Sequence, residues 1–207
     1  MSPTPLSPRA LARIAGALYL VNIVLGAFAI GYVPSVVGHD VQSHDLLFRT
    51  GIAAHVVVTL TNVPLAVIFY ELFKVVNRRL ALLEAFFTLV ATAVEVADVV
   101  SQLAALSTAH SAGYDISTIF FGFDILILGY LVFVSTLMPR VIAVLLLVDA
   151  VAYVVYAFSD ILAPGFAAHL VPWVQLPALA GEGSLTVWLL VVGVNAQRWQ
   201  RWKEQQA

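Results

Sequence analysis

The chain has 207 residues, 61% hydrophobic and only 11% charged, with a formal net charge of −2 and no cysteine. A soluble domain carries about a quarter charged residues, so this composition, with a mean hydropathy of +0.96, excludes a water-soluble globular domain, a disordered chain and a disulfide scaffold. The charge gives no reason to invoke nucleic acid, and the missing cysteines exclude thiolate metal sites and cysteine nucleophiles.

What remains is an all-α polytopic transmembrane bundle, a single integral membrane domain over residues 1–207 with lipid as its outer solvent. At about 20 residues per span, the length allows six spans. The first is expected over 9–32, closed by Pro34. Arg9, Arg13 and the later Ala27-Phe28-Ala29 also resemble a signal peptide, but the apolar run continues to Val37 and contains Tyr19 and Asn22, so retention as an anchor is expected. The second span is expected over 46–76, with Pro64 inside it, and the third over 80–107. The fourth is expected over 116–138, closed by Pro139; the fifth over 140–162, stopped by Pro164-Gly165; the sixth over 171–199. All must be helices, because open strand edges cannot face hydrocarbon.

Six spans put nine of the ten basic residues on one side: Arg9, Arg13, Lys74, Arg78, Arg79, Arg140, Arg198, Arg201 and Lys203. The other side has Arg49 alone, beside His39, Asp40, His44, Asp45, His110, Asp115 and His169. The positive-inside rule then predicts that both termini are cytoplasmic.

Ionisable residues inside a membrane cost energy and usually face the bundle interior. In the third span, Glu84, Thr88, Ala91, Glu95, Asp98 and Gln102 follow spacings of three and four and form one stripe of one helix. Asp149, Tyr153, Tyr156 and Asp160 do the same in the fifth. His55 with Asn62, Tyr19 with Asn22, Asp124, and Glu182 supply the polar positions of the other spans. Counted from the outer ends at about 1.5 Å per residue, His55, Asp98 and Asp124 lie about 12 Å deep, Asn22, Glu95 and Glu182 about 16 Å, and Asp149 about 20 Å. The sequence therefore predicts one shared layer near the midplane. His55, Glu95, Asp98, Asp124 and Glu182 are expected around a common cavity, with Asn22 and Asp149 at its edge, and Tyr153 is expected to face the interior as a further binding candidate. Val99, Leu126 and Leu146 are expected on the lipid side. Glu84 is expected to pair with Arg78 or Arg79.

Five carboxylates could not all stay ionised in one dry layer: protons are held there, or a cation binds, or water enters. Glu95 and Asp98, at i and i+3, could share a hard divalent cation such as Ca²⁺ or Mn²⁺. No zinc-binding spacing occurs.

The sequence also resembles a known family in an ordered set of motifs. Arg13-Ile-Ala-Gly-Ala-Leu-Tyr-Leu opens the first span, Leu47-Phe-Arg-Thr-Gly the second, and Asn77-Arg-Arg-Leu-Ala-Leu-Leu the third. Phe120-Phe-Gly-Phe, Gly129-Tyr-Leu, Ser135 and Met138-Pro-Arg follow in the fourth. Gly181-Glu and Trp188-Leu-Leu lie in the sixth. Together these resemble a bacterial membrane family known as domain of unknown function 4386. The resemblance implies a six-span protein of the bacterial cytoplasmic (inner) membrane and implies no activity.

Three functions fit the sequence. The leading expectation is a small transporter, or a carrier of an ion or small-molecule ligand, coupled to H⁺ or a cation through the acidic layer. An intramembrane enzyme acting on a lipid-like substrate, with His55 and the acids as acid/base groups, is the first alternative. A non-catalytic membrane subunit or sensor is the second. Membrane lipid is the one partner that composition implies.

Overall fold

The computed structural model describes residues 6–38, 40–109, 112–171 and 173–205, and in residues 112–114 only the backbone. His39 and His110, expected at the outer end, lie outside the described residues. Most of the described residues are helical, and none of them is in a strand.

α1 (Pro8–Gly26) starts on a conventional cap: the Ser7 hydroxyl accepts from the Ala10 amide at 3.2 Å, and Pro8 occupies the first turn, where no N–H is needed. Pro34 does not end this helix. A π-helical turn (Ala27–Tyr32) leads without a break into α2 (Val33–Val37). A widened turn ahead of a proline relieves the clash of its ring with the preceding turn.

A 3₁₀ turn (Gln42–His44) precedes α3 (Asp45–Ala105), which is drawn as one 61-residue element but contains Asn77 at φ −152°, ψ 101°. Asn77 is extended, and its side-chain oxygen accepts from the amides of Arg79 and Leu80, both at 3.1 Å. It therefore caps a new helix. Residues 45–76 and 78–105 are two arms, close to the expected second and third spans. Leu106, in the left-handed region at φ 46°, ends the second arm.

α4 (Ala112–Ser135) and α5 (Arg140–Leu162) follow on either side of a turn at Thr136 to Pro139. The expected sixth helix, 171–199, is in fact two pieces, and a short helix that was not expected precedes it. α6 (Pro164–Leu170) is a short helix that Pro164 starts; α7 (Gln175–Val191) follows at a 53° bend; α8 (Ala196–Gln205) is separate. Gly193, at φ +74°, makes the break after α7, and its amide bonds to the Trp188 carbonyl at 2.9 Å. Among the described residues, four helical stretches are long and apolar enough to cross a membrane, or five if α6 and α7 count as one bent span.

The surface is apolar and the interior polar. Leu60, Val67, Val100, Val141, Val151 and Val187 are exposed, whereas Glu84, Glu95, Asp98, Asp124 and Asp149 are buried. Such a surface needs a hydrocarbon solvent. The helices approach closely where small residues meet. A Cβ on Gly16 would fall 2.8 Å from the backbone nitrogen of Leu190, and one on Gly181 would fall 3.1 Å from the carbonyl of Leu145. The first contact joins α1 to α7; the second sets α7 on α5, with Glu182 beside Asp149.

The two ends of the bundle are built differently. At one end α8 is clamped down: Trp199 donates to the Leu72 carbonyl at 3.0 Å, Trp202 to the Ser135 carbonyl at 3.2 Å, and Arg198 to the Thr136 carbonyl at 2.6 Å. Gly193 packs against Arg9 at the same end. At the other end, the Thr108 hydroxyl donates to the Gly38 carbonyl at 2.9 Å.

Candidate functional site: an acid-lined cavity inside the bundle

The polar stripe of the second arm of α3 lies inside. All six of its residues, Glu84 through Gln102, are buried. It meets polar residues of every other long helix around a cavity of about 170 Å³. Glu95, Asp124 and Glu182, from three different helices, line this cavity together with Asn22 and Tyr153.

Asn22 ties α1 to the first arm of α3. Its amide donates to Asn62 Oδ1 at 2.6 Å and Thr61 Oγ1 at 3.2 Å. Tyr153 of α5 donates to Glu182 Oε1 of α7 at 2.9 Å, and Tyr19 of α1 reaches the same carboxyl. Asp149 adjoins Glu182 as well, without lining the cavity itself.

Two of the expected lining residues stand elsewhere. His55 is buried between the arms of α3, its Nε2 2.9 Å from Glu95 Oε1. It faces a small crevice with Val33, Phe48 and Thr108, and it meets the cavity only through Glu95. Asp98 is fully buried, and its Oδ2 accepts from Gln102 Nε2 at 2.8 Å, one turn along the same helix. Glu95 and Asp98 are thus engaged by different neighbours. Among the described residues no group of three His, Asp or Glu side chains is placed to hold a metal ion.

Glu84, which the expected layer left out, joins these acids through Asp124. Asp124 contacts Glu84 and Thr88 rather than Glu95. Glu84 and Glu95 are three helical turns apart, about 16 Å along α3. The acids therefore form a column along the bundle. α4 begins four residues before the expected 116, which on the same count sets Asp124 about 6 Å deeper. Glu84 does not pair with Arg78 or Arg79: it is buried against Asp124, and neither of its oxygens has a conventional donor. Two carboxyls can close a hydrogen bond only by sharing a proton, and Glu84 with Asp124, like Asp149 with Glu182, has that arrangement.

Sequence reasoning placed Glu84 on the right stripe but gave it the wrong partner, because basic residues lay nearer in sequence. It left Tyr19 out of the site although Tyr19 precedes Asn22 by one turn. Of the three residues expected on lipid, Leu126 is exposed, but Val99 and Leu146 are buried. Leu146 packs on Gly129 of α4, so α5 has a second buried face that the polar stripe could not reveal.

An apolar exterior around a polar, acid-lined interior defines a helical integral membrane protein. The chain belongs to the family described as Domain of unknown function (DUF4386), whose model matches residues 14–112 and 103–193. Neither the curated proteins nor the solved structures contain a match.

Proposed function

We propose that this protein is a small six-span carrier of the bacterial inner membrane, with both termini cytoplasmic, which moves an ion or small solute in exchange for protons. The observation that carries this reading is the cavity: carboxyls from α3, α4 and α7 converge on it, and none of the described residues lining it is Lys, Arg or His. Intramembrane acids that face a cavity at helix interfaces are what proton-coupled carriers need. Structural glue alone would not require carboxyls with unpartnered buried oxygens, such as Asp124 Oδ1 and Glu95 Oε2.

The six-span count treats the arms of α3 as separate spans joined at Asn77, and α6 with α7 as one. It is supported by the end contacts. Arg9, Leu72, Ser135 and Gly193 all gather near α8, and Gly38 meets Thr108 at the opposite end. The basic residues follow the first group, which favours that end for the cytoplasm. Reporter fusions after Gly38, Val76, Pro139 and Gly165 should read out, in, in and out; an outside reading after Pro139 would refute the topology.

The carrier reading is tested with proteoliposomes on a solid-supported membrane. A pH step should produce a transient charge movement in the wild type that is lost in Glu182→Gln and Asp124→Asn. Currents equal to those of protein-free vesicles would refute it.

A further inference from the structure

We propose that the cavity is a binding site for a small organic ammonium ion, held by the carboxylates of Asp124 and Glu182 among the rings of Tyr19, Phe121 and Tyr153. This deepens the carrier reading: it rests on that reading for the transport of the ion, and on the cavity alone for its binding.

Three features of the lining select this class. The first is sign. Glu95, Asp124 and Glu182 line the cavity, and no described lining residue is basic. Asp124 is 8% exposed, and its Oδ1 has no hydrogen-bond partner. Glu95 Oε2, also buried, has none either. As they stand these two oxygens are shut off from the cavity surface, so the carboxyls must turn to meet an ion there; an acceptor left unmatched favours that turn towards a donor or a positive charge.

The second is aromatic content. Tyr19, Phe69, Phe121, Tyr153 and Tyr156 all line the cavity. Aromatic rings attract cations through their quadrupole, and cages of rings recognise alkylated ammonium groups. A bare metal ion needs several oxygens at about 2.0–2.6 Å, and among the described residues no carboxyl or His group is gathered that closely. The wider spacing suits an ion with its own shell of methyl or N–H groups.

The third is size. A cavity of about 170 Å³ is smaller than the roughly 300–1,000 Å³ of drug-sized sites, so the ion is compact.

Charge balance gives the coupling. Asp124 is backed by Glu84, and Glu182 by Asp149. In this proposal each pair holds one proton between its two carboxyls, the only way that such a contact can close. When an ammonium ion docks, one such proton leaves to water, so a single positive charge is exchanged for another. No bond of the ion is made or broken.

The test uses the full chain in lipid nanodiscs and tetramethylammonium chloride as probe, followed by titration calorimetry. Tert-butanol serves as the neutral counterpart and sodium chloride as the ionic-strength control. Saturable binding of tetramethylammonium is expected, with neither control binding. Phe121→Leu and Asp124→Asn should each weaken it by about fivefold or more. Circular dichroism reports whether each variant is folded, and Phe121→Leu leaves every carboxyl in place. Titrations in buffers of different ionisation enthalpy should report about one proton released per ion bound.

The proposal is overturned if no saturable heat appears, if tert-butanol or sodium binds equally well, or if folded Phe121→Leu binds like the wild type. Binding without vesicle uptake would overturn the carrier reading and leave the ammonium site standing. Charge movement on a pH step without tetramethylammonium binding would do the reverse.

Discussion

The buried His55–Glu95 contact joins the two arms of α3, and its removal is a quantitative test. Both side chains are at most 6% exposed, and Nε2 and Oε1 are 2.9 Å apart. Replacing His55 with Leu leaves both Glu95 oxygens without a partner, since Oε2 has none already. Breaking a buried charged pair costs about 3–5 kcal/mol in soluble proteins. Polar contacts between membrane helices average nearer 0.6 kcal/mol and reach about 1.7. The two figures bracket the expectation. Burial favours the upper one, while the adjacent cavity, which can admit water, favours the lower. His55→Leu should therefore destabilise by about 2–3 kcal/mol. Glu95→Gln should cost under about 1 kcal/mol, because an amide can still pair with the imidazole. Glu95→Lys should be severe, as it sets an ammonium against His55. The assay is reversible unfolding in mixed micelles with increasing SDS, run as a double-mutant cycle with His55→Leu and Glu95→Leu. A coupling energy of about 1–2 kcal/mol is expected. Coupling indistinguishable from zero, or a Glu95→Gln variant worse than Glu95→Lys, would refute the reasoning.

Three further predictions follow from the packing and from the loop before α3. Gly181→Ala would place a methyl 3.1 Å from the Leu145 carbonyl and 3.2 Å from Asp149 Cβ, so α7 must move off α5. We expect a loss of about 1–3 kcal/mol, read as an earlier midpoint in the same SDS titration. Asn22→Leu removes the bonds to Asn62 and Thr61 and should cost about 1–2 kcal/mol; a neutral effect would mean that α1 is held by apolar packing alone. In the loop before α3, hydrogen bonds from Ser43 hold the Asp40 carboxyl below its ordinary range, with a lesser contribution from His44. A lowered value means that the turn is favoured above about pH 3.9 and released as pH falls through the folded value. The Ser43 amide should therefore lose protection, measured against its intrinsic exchange rate, at the acidic end of a hydrogen-exchange series, and Asp40→Asn should flatten that dependence.

Composition and periodicity alone determined the solvent, the helices and the inward stripe. A chain with 61% hydrophobic residues has to place them against lipid, and carboxyls repeating at three and four on one helix must then turn inward. Asn22, Glu95, Asp124, Glu182 and Tyr153 were legible as interior residues for that reason. Helix periodicity reports which face is polar, but it does not report which helix lies opposite or at what height. Only the packed bundle decided that Glu84 meets Asp124, that His55 stands behind Glu95 rather than in the cavity, and that Asp98 turns to Gln102. The same limit explains Leu146: a second buried face made of apolar residues looks like a lipid face until a neighbouring glycine brings another helix against it. The breaks were local chemistry only in part. Asn77 could cap a helix by its own side chain, whereas the turn at Gly193 is fixed by where α8, clamped through Trp199 and Trp202, can reach the bundle. Relative depth depends on helix starts and tilts that the whole assembly sets, which is why Glu84, left out of the expected layer, stands beside Asp124.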